Sequence, residues 1–414
     1  MSASVVIIGA GFAGVWSALS ATRLINLKNK TDQVKVVVIA PEPTLVIRPR
    51  LYESNAASMS HPLMTLFQSA GIDFVQGTAE SIDGIRQSVQ VHTPTGKDIT
   101  VKYSQIIIAT GSRLNKPQSV TGLEQHAFDI DTLDAAARLE RHLESLASYQ
   151  QSAARDTIVV CGAGFTGIEL ATELPKRLSH IEKPRIVLVD SAKEVGPELG
   201  PGLRPIILQA LEELHIETKL GSAVSAVDQE GVILASGERI PTKTAVWTAG
   251  MRASPPAQQI EGPKDSLGRL HVDMYLQTSK NKDIFATGDA AYVIADPSGH
   301  HALMSCQHAL QLGRVSGHNA AAALLEEPMM EYSQAAYNCC LDLGSWGAVI
   351  GEGWERKVKL HGDLAKRIKT YINQALIYPP VDAKEALTMA SPLGQDSDEL
   401  FKNLLEIVSS EGQN

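Results

Sequence analysis

No run of about 18 apolar residues occurs anywhere in the chain, which excludes a membrane-spanning helix. Its start passes from Ser2 into apolar Val5–Ile8 with neither a basic segment nor a small-residue cleavage site, so no secretory signal is expected. Cysteine is scarce. Cys161, Cys306, Cys339 and Cys340 form no C-x-x-C pair and no zinc-ligand spacing, so no metal site is expected, and they are too few to staple a secreted scaffold. A reducing, cytoplasmic compartment is the expectation. Positive charge is also short: 37 Lys and Arg against 46 Asp and Glu give a formal net charge of -9. A nucleic-acid partner, which needs a basic surface to displace phosphate counterions, is set aside. What the chain does have is ordinary globular composition, with 44% hydrophobic and 20% charged residues, and 32 glycines. Its 414 residues exceed what one core usually organises, so two or three domains are expected.

The glycines are organised. Val5–Ile8 is followed by Gly9-Ala10-Gly11-Phe12-Ala13-Gly14 and an apolar helical run, which reads as strand, tight turn and helix. In such a turn Gly9 permits the bend, Gly11 lets the backbone approach a pyrophosphate, and Gly14 lets the helix pack on the strand. The phosphates then meet the positive end of the helix. The design recurs at Ile158–Cys161, Gly162-Ala163-Gly164-Phe165-Thr166-Gly167 and the helix after it. Each copy leads to a second apolar strand, Val34–Ile39 and Arg185–Val189, as a βαβ unit requires. The fold class expected is therefore α/β, with two Rossmann-like domains.

The residue that ends the second strand commonly binds the adenosine ribose hydroxyls. Asp190 stands there in the second unit, where a carboxylate would repel the extra phosphate of NADPH, so NADH is the expected co-substrate. The bland alternative is a solvated turn residue. In the first unit Ala40 holds that place, and Glu42 is the candidate for the ribose.

Further along stand Ile107-Ile108-Ala109-Thr110-Gly111, Trp247-Thr248-Ala249-Gly250 and Ile284-Phe285-Ala286-Thr287-Gly288-Asp289-Ala290-Ala291. With the two fingerprints, in this order and spacing, the chain resembles the two-dinucleotide-binding flavoproteins, and within them the type II NADH dehydrogenases, over roughly residues 4 to 325. The resemblance implies FAD bound without a covalent link and NADH as co-substrate, with NADPH the alternative. It places FAD on residues 1–118 and 256–328, with NADH on an inserted domain, 119–255, and leaves 329–414 as a C-terminal α+β extension. Asp289 would bond the ribityl chain, unless it only caps the helix that follows. Arg48, Ala109, Thr110, Gly111 and Gly288 join the flavin set, and Gly250 the nicotinamide set. Glu169, after Thr166-Gly167-Ile168, would lie near the flavin; an early helical Glu is more commonly a surface residue favoured by the dipole.

The segment Cys306-Gln307-His308-Ala309-Leu310-Gln311-Leu312-Gly313 is similar to the helix that faces flavin and quinone in these dehydrogenases. Gln307 and Gln311 share one face. Cys306 stands where the family has alanine, and puts a thiol by the second substrate. The implied cycle passes hydride from NADH to flavin and electrons onward to a quinone-like acceptor, with helix-end amides offsetting the charge on the reduced ring. The C-x-x-x-x-C pair of disulfide reductases is absent. A sulfide-oxidising role for Cys306 would need a lowered pKa.

Beyond about Glu327 the pattern changes. Lys357, Lys359, Lys366, Arg367 and Lys369 crowd beside Tyr371, Ile372, Leu376 and Ile377, which fits either peripheral contact with an anionic membrane face or a solvated helix over the core. Tyr378-Pro379-Pro380 breaks that helix. The stripe Leu400, Leu404 and Ile407 fits core packing or a homodimer contact. Two alternatives stay open for the whole: a flavoprotein acting on a dedicated metabolite, and an apoptosis-inducing-factor-like protein whose assembly NADH controls.

Overall fold

The computed structural model describes residues 3–394 and 397–410. Two parallel five-stranded sheets dominate it. In the first, the order is Ile284–Ala286, Gln105–Ile108, Ala3–Ile8, Val34–Ala40, Asp73–Gln76; in the second, Ala127–Phe128, Thr244–Trp247, Thr157–Cys161, Arg185–Val189, Ile216–Lys219. The two orders match strand for strand, each fingerprint strand sitting at the centre. Those central strands are continuously apolar because helices or β-layers cover both faces: Val5, Val6, Ile7, Ile158, Val159 and Val160 are fully buried. Each sheet carries a three-stranded antiparallel appendage, Thr78–Asp83, Ser88–His92 and Asp98–Lys102 on the first, Val224–Asp228, Gly231–Leu234 and Arg239–Pro241 on the second.

The second unit is inserted in the first. The chain leaves through Ser112–Leu114 and returns through Met251–Ala253, and these two segments pair antiparallel. The insertion therefore has a hydrogen-bonded double neck.

The fingerprint helix Phe12–Leu27 packs along the helix Cys306–Leu325 at unusually short range, because small residues line the contact. A Cβ on Gly313 would lie 2.5 Å from the Ala13 carbonyl oxygen, and one on Gly317 2.0 Å from that of Ser17. The buried Ser17 and Ser316 hydroxyls meet at 2.9 Å.

The C-terminal segment is α+β: an antiparallel sheet of Asn338–Asp342, Ala348–Glu352 and Lys357–Gly362, then helices Asp363–Tyr371, Ala383–Met389 and Ser397–Ser410. The Asp363–Tyr371 helix runs into a wider π turn, Ile372–Leu376, and ends just before Tyr378-Pro379-Pro380. Among the described residues, no helix is long and apolar enough to cross a membrane, and no cluster of His, Cys, Asp and Glu could hold a metal.

Candidate functional site

Both fingerprints need glycine for steric reasons the backbone makes explicit. Gly9 (φ +111) and Gly162 (φ +120) hold conformations that L side chains rarely adopt. A Cβ on Gly14 would come within 2.0 Å of the Gly9 carbonyl oxygen, and on Gly167 within 1.7 Å of the Gly162 carbonyl oxygen. Gly11 faces open space, with nothing within 4 Å of a Cβ. Gly11 is the N-cap of the first helix and Gly164 of the second, and neither offers a side-chain cap; the leading amides of the first helix stay available for an anion, while in the second the Phe165 amide donates to Glu198 at 2.9 Å.

One cavity of about 1850 Å³ joins the two turns. Single-ligand pockets run to roughly 1,000 Å³, so this one has room for more than one ligand. Gly11, Phe12, Ala13, Glu42, Arg48, Ala109, Gly111, Gly288 and Asp289 line its first region, and Gly162, Gly164, Phe165, Thr166, Asp190 and Gly250 its second. Gly9, Gly14 and Gly167 stand behind these walls as the packing glycines. Thr110 is half-buried, with its hydroxyl oxygen sealed and lacking a hydrogen-bond partner, and the hydroxyl of fully buried Thr287, two residues before Asp289, also lacks one. The open space at Gly11 and the uncapped leading amides of the Phe12–Leu27 helix suit a phosphate-bearing ligand.

Asp289 accepts a hydrogen bond of 2.5 Å from the Ser112 hydroxyl. Burial pushes its carboxyl above the ordinary range, while Ser112 and the Arg48 guanidinium pull it back. Arg48 also donates to the Ser112 carbonyl (3.1 Å) and pairs with Asp131. Asp289 therefore belongs to a network and is not a mere cap. Glu42 is exposed, two residues past the end of the strand Val34–Ala40, and accepts from Gln76. Asp190 is held by two backbone amides, Ala163 at 2.6 Å and Ala192 at 2.7 Å, which aim its carboxylate at the second turn.

Glu169 is not a surface residue. It is 3% exposed, and its Oε1 lies 2.9 Å from the Lys369 ammonium while accepting from the Asp342 amide at 3.1 Å. Burial raises the Glu169 carboxyl to about 7, against the pull of Lys369. Burial works against the Lys369 charge as well, but the carboxylate beside it carries the balance and raises it. Lys369 also donates to the Cys340 carbonyl at 3.1 Å. Asp342 holds Lys366 at 2.5 Å and accepts from the Tyr52 hydroxyl at 2.8 Å. Three distant segments of chain thus close around Glu169.

The helix Cys306–Leu325 begins at the cavity, its N-cap Ser305 accepting from the His308 amide. Cys306 and Gln307 line the cavity, as does Gln311, whose side-chain amide donates to the Pro392 carbonyl at 2.7 Å. Burial raises every thiol: Cys161 to about 12, Cys340 to about 12, Cys339 to about 11, and Cys306 in the same direction. No thiolate is poised for nucleophilic work near neutral pH.

Sequence reasoning missed Lys369 as a site residue. Its signal was present: Ala365, Ile368, Lys369 and Ile372 fall on one helical face, so a lysine interrupts an apolar stripe. The basic stretch is largely neutralised within the chain. Lys357 pairs with Glu355, Lys359 with Glu352 and Asp398, Lys366 with Asp342 and Lys369 with Glu169.

Residues 3–313 match the pyridine nucleotide-disulphide oxidoreductase family, and the chain belongs to it. It is a flavoprotein oxidoreductase that uses NAD(P)H. An NADH dehydrogenase-like protein of Mycobacterium tuberculosis is 41% identical over 94% of this chain and 97% of its own. A type II NADH:quinone oxidoreductase of Staphylococcus aureus is 26% identical, over 83% of this chain and 88% of its own. The sulfide:quinone oxidoreductase of Aquifex aeolicus has the same fold, with a TM-score of 0.76 at 20% identity over 98% of this chain and 95% of that one.

Proposed function

We propose that this enzyme oxidises NADH through a non-covalently held FAD and passes the electrons to a quinone-like aromatic acceptor. The observation that carries the reading is the continuity of the cavity. Past the two glycine turns it runs beside Gln307 and Gln311 into an apolar lobe lined by Ile372, Leu376, Ile377, Met389 and Leu404. Such a lobe suits a flat, poorly soluble acceptor, with the glutamines as hydrogen-bond donors to its oxygens.

The flavin, when bound, accepts hydride from the nicotinamide and returns electrons to the acceptor. The chain binds, orients and shields. Gly11 and the first amides of the Phe12–Leu27 helix receive one pyrophosphate, and Asp289 the ribityl hydroxyls. The second turn receives NADH, and Asp190 disfavours a 2′-phosphate there. The first turn of the Cys306–Leu325 helix would present its leading amides to the charge that develops on the reduced ring. Glu169, titrating at about 7, can hold or yield a proton at its Oε atoms near neutral pH.

The test is anaerobic stopped-flow reduction of the purified protein by NADH, then mixing with menadione. Fast bleaching of the yellow cofactor followed by fast recovery is expected. Bleaching without recovery would sink the quinone half and leave the NADH half standing.

A further inference from the structure

The hairpin between the strands Ala348–Glu352 and Lys357–Gly362 brings Arg356 to the nucleotide side of the cavity. Arg356 holds a left-handed backbone (φ +56), an unfavourable conformation for a residue with a Cβ. Two glycines of the inserted unit admit it: a Cβ on Gly202 would stand 2.3 Å from the Arg356 carbonyl oxygen, and one on Gly200 3.4 Å from its Cγ. The guanidinium lies over the Tyr337 ring at 4.3 Å and is 6.0 Å from that of Trp354. The residue is only 6% exposed and lines the cavity, yet its Nη1 is buried with no hydrogen-bond partner, and no described carboxylate forms an ion pair with it. A guanidinium cannot shed its charge, so a buried one without a counter-ion is costly and calls for an anion.

The neighbourhood says which anion. Gly200 directly follows the short turn Pro197–Leu199, whose Glu198 puts Oε1 2.9 Å from the Phe165 amide at the head of the second fingerprint helix. Glu198 Oε1 also lies 2.8 Å from where a Gly164 Cβ would be, in the approach path that glycine keeps open. A carboxylate of the chain itself therefore stands where the fold offers its amides to a phosphate. On this observation, and resting on the NADH reading above, we infer that Arg356 is a specificity residue for the dinucleotide, its planar fork engaging the NADH pyrophosphate opposite the Phe165 amide. The C-terminal segment then takes part in nucleotide binding as well as in covering the acceptor.

Calorimetric titration of the flavin-loaded enzyme with ADP-ribose and with AMP tests this, since both carry adenosine and only the first carries the pyrophosphate. Charge-assisted hydrogen bonds lost in Arg356→Gln should weaken ADP-ribose about tenfold or more, leave AMP unchanged, and raise KM for NADH more than they lower kcat. Arg356→Lys keeps the charge without the fork and should lose about threefold or more. Should Arg356→Gln fail to fold, Arg356→Lys decides by the same comparison. ADP-ribose affinity within about twofold of wild type overturns the inference, as does an equal loss for AMP, which would make Arg356 a support of the fold. Wild-type enzyme that binds ADP-ribose while the variants match it leaves the NADH reading intact. Wild-type enzyme that binds neither probe removes that reading and this inference together.

Discussion

A carboxylate and an ammonium buried together, as Glu169 and Lys369 are, contribute little net stability while both are present, but removing one leaves the other exposed to a low-dielectric surrounding. Lys369→Met should therefore cost about 3–5 kcal/mol at pH 8, where Glu169 is charged in the wild type and in the variant must either stay charged without its cation or take up a proton. The sign with pH follows from the raised carboxyl. Glu169 titrates in the fold at about 7, above its ordinary 4.5, so its contribution to stability is complete at low pH and falls away as pH rises through 7. The penalty of Lys369→Met should accordingly shrink as pH falls toward 5, when Glu169 takes a proton and no lone charge remains. Denaturant unfolding of the two proteins at both pH values checks it. A penalty independent of pH would mean that Lys369 acts by packing alone.

At the scale of elements, the glycine turns were legible because their requirements are local: a strand, a positive φ at Gly9 or Gly162 and a forbidden Cβ at Gly14 or Gly167 all sit within a few residues. The partners of Glu169, Phe165 and Asp289 were not, because Lys369, Glu198 and Ser112 come from other elements and carry no sign of whom they will meet. The basic stretch shows the same limit. Its charge was evident, but the carboxylates that neutralise it come from other turns and strands. The turn Pro197–Leu199, between Gly196 (φ +53) and Gly200 (φ +73), is such a non-local part. Its Glu198 carboxylate sits at a helix N-terminus, where, on the function proposed above, a pyrophosphate would share that place or displace it. Glu198→Gln removes that competing charge and should tighten NADH binding about two- to fivefold, with kcat maintained. Weaker binding in a titration with NADH would show that Glu198 contributes to the bound state.

Across the whole molecule, the two sheets follow from the repeated βαβ pattern and the insertion from the family resemblance, while the C-terminal segment, whose pattern is weaker, closes the cavity from outside both. Its last helix, Ser397–Ser410, turns Leu400, Phe401 and Leu404 toward the apolar lobe and buries Leu404 and Val408 against Ile350 and Ile368. Ending the chain after Gly394 should leave the rate of reduction by NADH within about twofold and slow reoxidation by menadione about tenfold, because one wall of the proposed acceptor lobe is lost while the nucleotide side is kept. Equal slowing of both steps in stopped-flow would show that the helix supports the entire enzyme. The same arrangement bears on how the protein is made. Glu169 emerges from the ribosome long before Lys369, and at about 5–20 residues per second the interval lasts on the order of ten seconds or more. Through that interval the second βαβ unit must carry the acid without its cation, so the nascent chain keeps Glu169 protonated or in water. The buried ion pair is thereby a late event of synthesis, a seal that forms only when the last segment arrives.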